Sequence, residues 1–116
     1  MNLPVLNKDI DQDEFDALVE QARKASDLLK ALSHEVRLLI LCLLSEGEKS
    51  VSELEEVLSM PQAAVSQQLA RLRLEGLVRS RREGRMIYYS LENKEVSSIV
   101  ATLYDLFCKD VRQAAE

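Results

Sequence analysis

A mainly α-helical chain closed by a small β-hairpin is predicted by three observations. Apolar residues recur at three- and four-residue steps through most of the sequence, the period switches to two over residues 77–91, and each of the three glycines falls where one element gives way to the next. With 116 residues and 47% hydrophobic composition the chain can bury one core, so one domain over residues 11–112 is expected, with a flexible N-terminal arm at residues 1–10 and a tail at residues 113–116.

The first helix is carried by Phe15, Leu18, Val19, Ala22, Ala25, Leu28, Leu29 and Leu32, with Asp11, Asp13 and Glu14 at the positive end of its dipole. Ser33 is the expected cap of a second helix whose apolar face is Val36, Leu39, Ile40 and Leu43 and which Gly47 ends. Leu38, Leu41, Cys42 and Leu44 make that helix apolar nearly all round, which predicts a central, buried position. Ser50 or Ser52 caps a short third helix with Val51, Leu54, Val57 and Leu58, and Glu53 after Ser50 completes a capping-box pattern. Ser59, Met60 and Pro61 break it. A fourth helix follows with Val65, Leu69 and Leu72 on one side and Gly76 past its end. Residues 77–83 and 85–91 alternate around Gly84 as a hairpin, and from Asn93 a last helix carries Val96, Ile99, Val100, Leu103, Leu106, Phe107 and Val111.

Two short helices around a tight turn, followed by a hairpin, read as a winged helix-turn-helix in the order helix, helix, helix, helix, strand, strand, helix. The first and last helices carry more apolar surface than so small a core can cover, which predicts a homodimer.

Charge is distributed to match. The chain carries a net −5, yet residues 61–90 hold six arginines (Arg71, Arg73, Arg79, Arg81, Arg82 and Arg85) against Glu75 and Glu83, a local +4 that leaves −9 for the remainder. A basic block in an acidic chain fits a phosphate-binding face beside an acidic body. The opening residues carry no long apolar run and no stretch reaches a bilayer-spanning length, so a soluble, cytoplasmic protein without membrane association is expected. No Gly-rich phosphate loop, second histidine or paired carboxylate site argues for an enzyme, and no cofactor is expected. Cys42 and Cys108 lie far apart without CxxC spacing, and on the residues alone they read as small buried hydrophobes.

The strings LKALSHEVRLLILCLL and VSELEEVLSMPQAAVSQQLARLRLEGLVRSRREGRMIYYSL resemble the ArsR/SmtB family of bacterial repressors over about residues 27–108, with AAVSQQLARLRLEGLV the most specific segment. The resemblance implies a homodimer that binds double-stranded operator DNA. Within the family, Cys42 with Cys108 resembles the persulfide-responsive SqrR/BigR-like subgroup. That likeness implies a sensing dithiol, reactive sulfur species as inducer, and control of sulfide-oxidation or detoxification genes.

The resemblance also implies a role for the fourth helix. If Val65, Leu69 and Leu72 face inward, then Gln62, Ala63, Ser66, Gln67, Ala70 and Arg71 face out. Gln62 or Gln67 can pair with adenine, Arg71 can reach guanine or phosphate, Ala63 can pack on a thymine methyl, and Ser66 permits close approach. Arg81, Arg82 and Arg85 cluster around the hairpin turn and suit phosphates or a minor groove; a solvated charged turn is the plainer reading. The third helix lacks the paired cysteines of arsenic- and cadmium-sensing members, the last helix has no histidine, and His34 reads as a structural or capping residue, so no metal is expected. A general thiol-redox or metal-responsive repressor, the latter borrowing Cys42, Cys108 and His34, is the alternative. A winged-helix protein-interaction module is the alternative of another class.

Overall fold

A computed structural model describes residues 10–111; most of the expected N-terminal arm and the whole expected tail lie outside them. Contacts divide the chain into two compact units, one up to residue 30 and one from residue 31 onward. The elements are α1 (Gln12–Leu32), α2 (Glu35–Ser45), β1 (Lys49–Ser50), α3 (Val51–Leu58), α4 (Gln62–Leu74), β2 (Val78–Glu83), β3 (Met86–Leu91) and α5 (Lys94–Phe107). The expected order of helices and hairpin holds, with β1 an addition. Two residues are too short a run to show a period.

Helix α1 begins where Asp11 Oδ1 accepts from the Glu14 amide at 2.8 Å, and Asp13 and Glu14 occupy its first turn. Helix α2 is capped at His34, not at the expected Ser33; His34 has extended backbone and makes no side-chain cap hydrogen bond. Helix α3 shows the full capping box: the Ser50 hydroxyl accepts from the Glu53 amide and the Glu53 carboxylate accepts from the Ser50 amide, both at 3.1 Å. The Ser50 amide, with the Ser50 hydroxyl second, holds the Glu53 carboxyl below the usual carboxylate range. The α3–α4 turn passes through Ser59 in the left-handed region at φ 52, which a short polar side chain tolerates better than a branched one. Asn93 caps α5 by accepting from the Val96 amide at 2.9 Å.

The sheet has strand order β1-β3-β2, both pairs antiparallel. Gly84 turns the β2–β3 hairpin at φ 61, a conformation that favours glycine. The core of the second unit is Ile40, Leu41 and Leu44 of α2, Leu54 of α3, Val65, Leu69 and Leu72 of α4, Val78 of β2, and Val96 and Val100 of α5. The α2 face differs from expectation. Arg37, Ile40, Leu41 and Leu44 are buried, whereas Leu39 is 52% exposed and Leu43 half-buried. Arg37 enters the interior because it has partners on and beside α4: Nε donates to Gln68 Oε1 at 3.1 Å, and Nη1 lies 3.7 Å from Glu75 Oε2. A charge this buried is tolerated only when paired, and the pairing pins the middle and end of α4 to α2.

Candidate nucleic-acid interface and thiol pair

Three fully buried residues at steps of four and three, Val65, Leu69 and Leu72, fix which side of α4 turns outward. Gln62, Ala63, Gln67, Ala70 and Arg71 are all exposed, and Ser66 is half-buried. The first turn of α4 carries no acidic residue, so the partial positive charge of its N-terminus is left uncompensated. Small and amide side chains therefore line an exposed helix face with no carboxylate until Glu75, a surface able to enter a major groove.

The hairpin separates the three arginines that the sequence grouped. Successive strand residues point to opposite faces, so Arg81 shares a face with Arg79 and Glu83, and Arg82 projects from the other. Arg85 sits in the turn next to Gly84. Among the described residues Arg82 and Arg85 are exposed and form no ion pair, whereas Arg81 pairs with Glu48 at 2.7 Å and with Glu83 at 2.9 Å. Glu48 escaped the sequence reading because it precedes the hairpin by some thirty residues and no local pattern links them.

The fold brings the thiols to one place. Helices α2 and α5 pack together and set Cys42 and Cys108, both free and half-buried, on the walls of the same two cavities. Cys108 is the C-cap of α5, one residue past its last turn, where the sequence had expected it within the helix. Burial pushes the Cys42 thiol above its ordinary value; the neighbouring Cys108 and the Glu46 carboxylate add to the shift. The pair opens on a groove of about 640 Å³ bordered by Leu39, Glu46, Val57 and Tyr104, and on an apolar notch of about 320 Å³ formed with Leu38, Leu103 and Phe107. Small molecules can therefore reach sulfur from either side.

Alkylation of Cys42 at neutral pH is accordingly expected to be slow and to speed up as the pH rises past the usual thiol range. In Cys108→Ser the profile should move down without returning to that of a free thiol, because burial is the leading cause of the shift. A profile in Cys108→Ser like that of free cysteine would show instead that the neighbour dominates.

Among the described residues no group of three or more His, Cys, Asp or Glu is placed to hold a metal ion, and no helix is long and apolar enough to cross a membrane. His34 stands eight residues before Cys42, about 12 Å along a helix axis, so it does not join the thiols in one site.

A buried-core helix-turn-helix, an outward face of amides and small residues, and a hairpin bearing uncommitted arginines define a winged helix-turn-helix DNA-binding protein. Comparison with known proteins gives the family. The signature of bacterial regulatory proteins of the arsR family matches residues 34–80. The chain is 43% identical to the biofilm growth-associated repressor of Xylella fastidiosa over 82% of this chain and 83% of that protein. It is 45% identical to the HTH-type transcriptional regulator YgaV of Escherichia coli over 82% of this chain and 97% of that one. Among solved structures, reduced HlyU from Vibrio cholerae superposes with a TM-score of 0.77 at 42% identity, covering 80% of this chain and 98% of HlyU. The repressor BigR from Xylella fastidiosa superposes at 0.75 and 41% identity, covering 82% and 94%. The chain belongs to the arsR family and is a DNA-binding transcriptional regulator; these relatives are regulators, not enzymes.

Proposed function

We propose that this chain is a homodimeric repressor that leaves its operator when reactive sulfur bridges Cys42 and Cys108, and that it controls genes of sulfide oxidation or detoxification. The observation that carries this reading is the placing of two free, half-buried thiols together at the α2–α5 junction, where both line one groove and one apolar notch. The repressor activity named for the Xylella fastidiosa relative agrees with it, whereas HlyU of Vibrio cholerae is named a transcriptional activator.

The chemistry is two thiol exchanges. With an organic polysulfide RS–S–SR, the Cys108 thiolate attacks an inner sulfur and expels RS⁻; the Cys42 thiolate then attacks the protein-bound chain and expels the second RS⁻. Two thiols and one trisulfide give one Cys42–S–Cys108 trisulfide and two RSH, with no other oxidant. Cys42 reacts second because burial favours its protonated form, and once the chain is held on Cys108 the second exchange is intramolecular. The bridge fixes the end of α5 against α2 and, through the dimer, changes the spacing of the two α4 helices.

DNA is bound by α4 with Gln62, Ala63, Ser66, Gln67 and Arg71 in a major groove and by Arg82 and Arg85 on phosphates. The apolar residues exposed on α5, Leu106 at 69% and Phe107 at 74%, supply the dimer contact. Replacing Arg82 and Arg85 by alanine is expected to weaken binding to every sequence alike and to lower the salt slope by about two, since each phosphate contact contributes about one counterion.

Intact mass of protein released from DNA tests the sensor directly. Polysulfide-treated repressor should gain a sulfur-containing link between Cys42 and Cys108, and release without any such link would sink the proposal. Release by peroxide at equal efficiency would replace reactive sulfur by a general oxidant.

A further inference from the structure

Arg81 is exposed, yet three of its guanidinium nitrogens are engaged by carboxylates of its own protein. From β2 its side chain passes over the Tyr88 ring in β3, 4.5 Å from the centroid, and reaches Glu48, the residue before β1. Nε donates to Glu48 Oε2 at 2.8 Å and Nη2 donates to Oε1 at 2.7 Å, a two-pronged pair, while Nη1 donates to Glu83 Oε2 at 2.9 Å. The pairing holds the Glu48 carboxyl below the usual carboxylate range and raises the guanidinium above its ordinary value. Arg81 is thus committed to two carboxylates of its own chain, and Arg79 on the same face adds its field at Glu48.

An isolated ion pair with side chains 51% and 35% exposed contributes little. This one differs in its forked geometry, its stacked ring and the parts it joins. Strand β2 is the outer strand and shares no backbone hydrogen bonds with β1, because β3 lies between them, and β1 itself is two residues long. The Arg81–Glu48 pair spans that gap. It links the strand that carries Arg82 to the turn between α2 and α3.

We propose that Glu48 is a positioning residue for DNA binding: by holding Arg81 it sets the pitch of the hairpin against α3 and α4, and Arg81 anchors the wing without contacting phosphate.

The sign of the Glu48 effect separates this from plain electrostatics. Removing an acidic residue near the interface makes the protein more positive, which by charge alone tightens binding. An anchor demands the reverse. The test uses the full chain and a DNA duplex selected by the wild-type protein from a random-sequence pool, with affinity measured across a salt series. Glu48→Gln is expected to weaken binding about three- to tenfold with an unchanged salt slope, and Arg81→Gln to do the same. The double variant should be no worse than either single one, since both break one contact. Arg81→Lys keeps the charge but not the fork, so it should behave like Arg81→Gln. The proposal is overturned if Glu48→Gln binds as tightly as wild type or more tightly. It is equally overturned if Arg81→Gln weakens binding further in the Glu48→Gln background with a salt slope lower by about one, or if Arg81→Lys binds like wild type.

Discussion

Cys42→Ser and Cys108→Ser proteins are expected to stay on operator DNA at a polysulfide concentration that releases the wild-type chain, while binding as wild type does when reduced. A coupling of about 1 to 3 kcal/mol between bridging and DNA corresponds to roughly 5- to 150-fold in affinity, and each variant should lose all of it. Both positions are half-buried, so a serine hydroxyl can reach solvent or the preceding turn of helix, and the reduced fold should tolerate either change. The two variants should differ in one respect: with Cys42 alone the remaining thiol reacts slowly, because burial holds it protonated. Stability and affinity should move in opposite directions in the wild type. Closing a loop of this length raises stability against unfolding by roughly 4 kcal/mol on chain-entropy grounds, even as operator affinity falls. A bridged protein that melts higher yet binds DNA unchanged would remove the switch and leave only a crosslink. Gel-shift titration beside a thermal melt, on the same samples, distinguishes the two.

How much of this is written in the sequence depends on whether a signal is local. Gly84, Gly76 and the Ser50–Glu53 capping box act within four residues of themselves, and each stands where the pattern placed it. The α4 face was equally legible because only one side of it is apolar: Val65, Leu69 and Leu72 have no competitors for the interior except Leu74, which is 89% exposed. Helix α2 is the opposite case. With leucine or isoleucine at six of seven positions from Leu38 to Leu44, interrupted only by Cys42, periodicity cannot select a face. The choice falls to Arg37, whose side chain must meet Gln68 and Glu75; Ile40, Leu41 and Leu44 follow it inward and Leu39 turns out toward the thiol groove.

The site shows the same division. Gln62, Ala63, Gln67 and Arg71 could be placed from helical geometry alone. The Cys42–Cys108 pairing spans two elements distant in the chain: the residues predict helices that pack together, and the family resemblance makes the two thiols a pair. The hairpin arginines were visible as a group, but strand alternation, which divides Arg82 from Arg81, matters only once the register Arg81↔Tyr88 and Arg82↔Ile87 is known. Glu48 and Glu83 then decide which arginine is occupied.

On α4, two substitutions two residues apart should produce opposite profiles. Leu69→Ala removes a side chain with no solvent exposure that packs between α4 and the rest of the core, and is expected to cost about 2 to 5 kcal/mol of stability through lost burial and the cavity left behind. Its effect on DNA should be indiscriminate: whatever fraction remains folded reads the same bases, so affinity for preferred and altered duplexes falls by one factor. Gln67→Ala truncates an exposed side chain and should change stability by no more than about 0.5 kcal/mol. Loss of a two-pronged amide contact to adenine should instead cost about 1 to 3 kcal/mol of discrimination at one base pair and little elsewhere. Melting curves and binding to a set of single-base variants of a selected duplex give both readouts. If Gln67→Ala lowers affinity for all duplexes equally, the residue holds the helix to phosphates, and the reading of bases passes to Gln62 and Arg71 on the same exposed face.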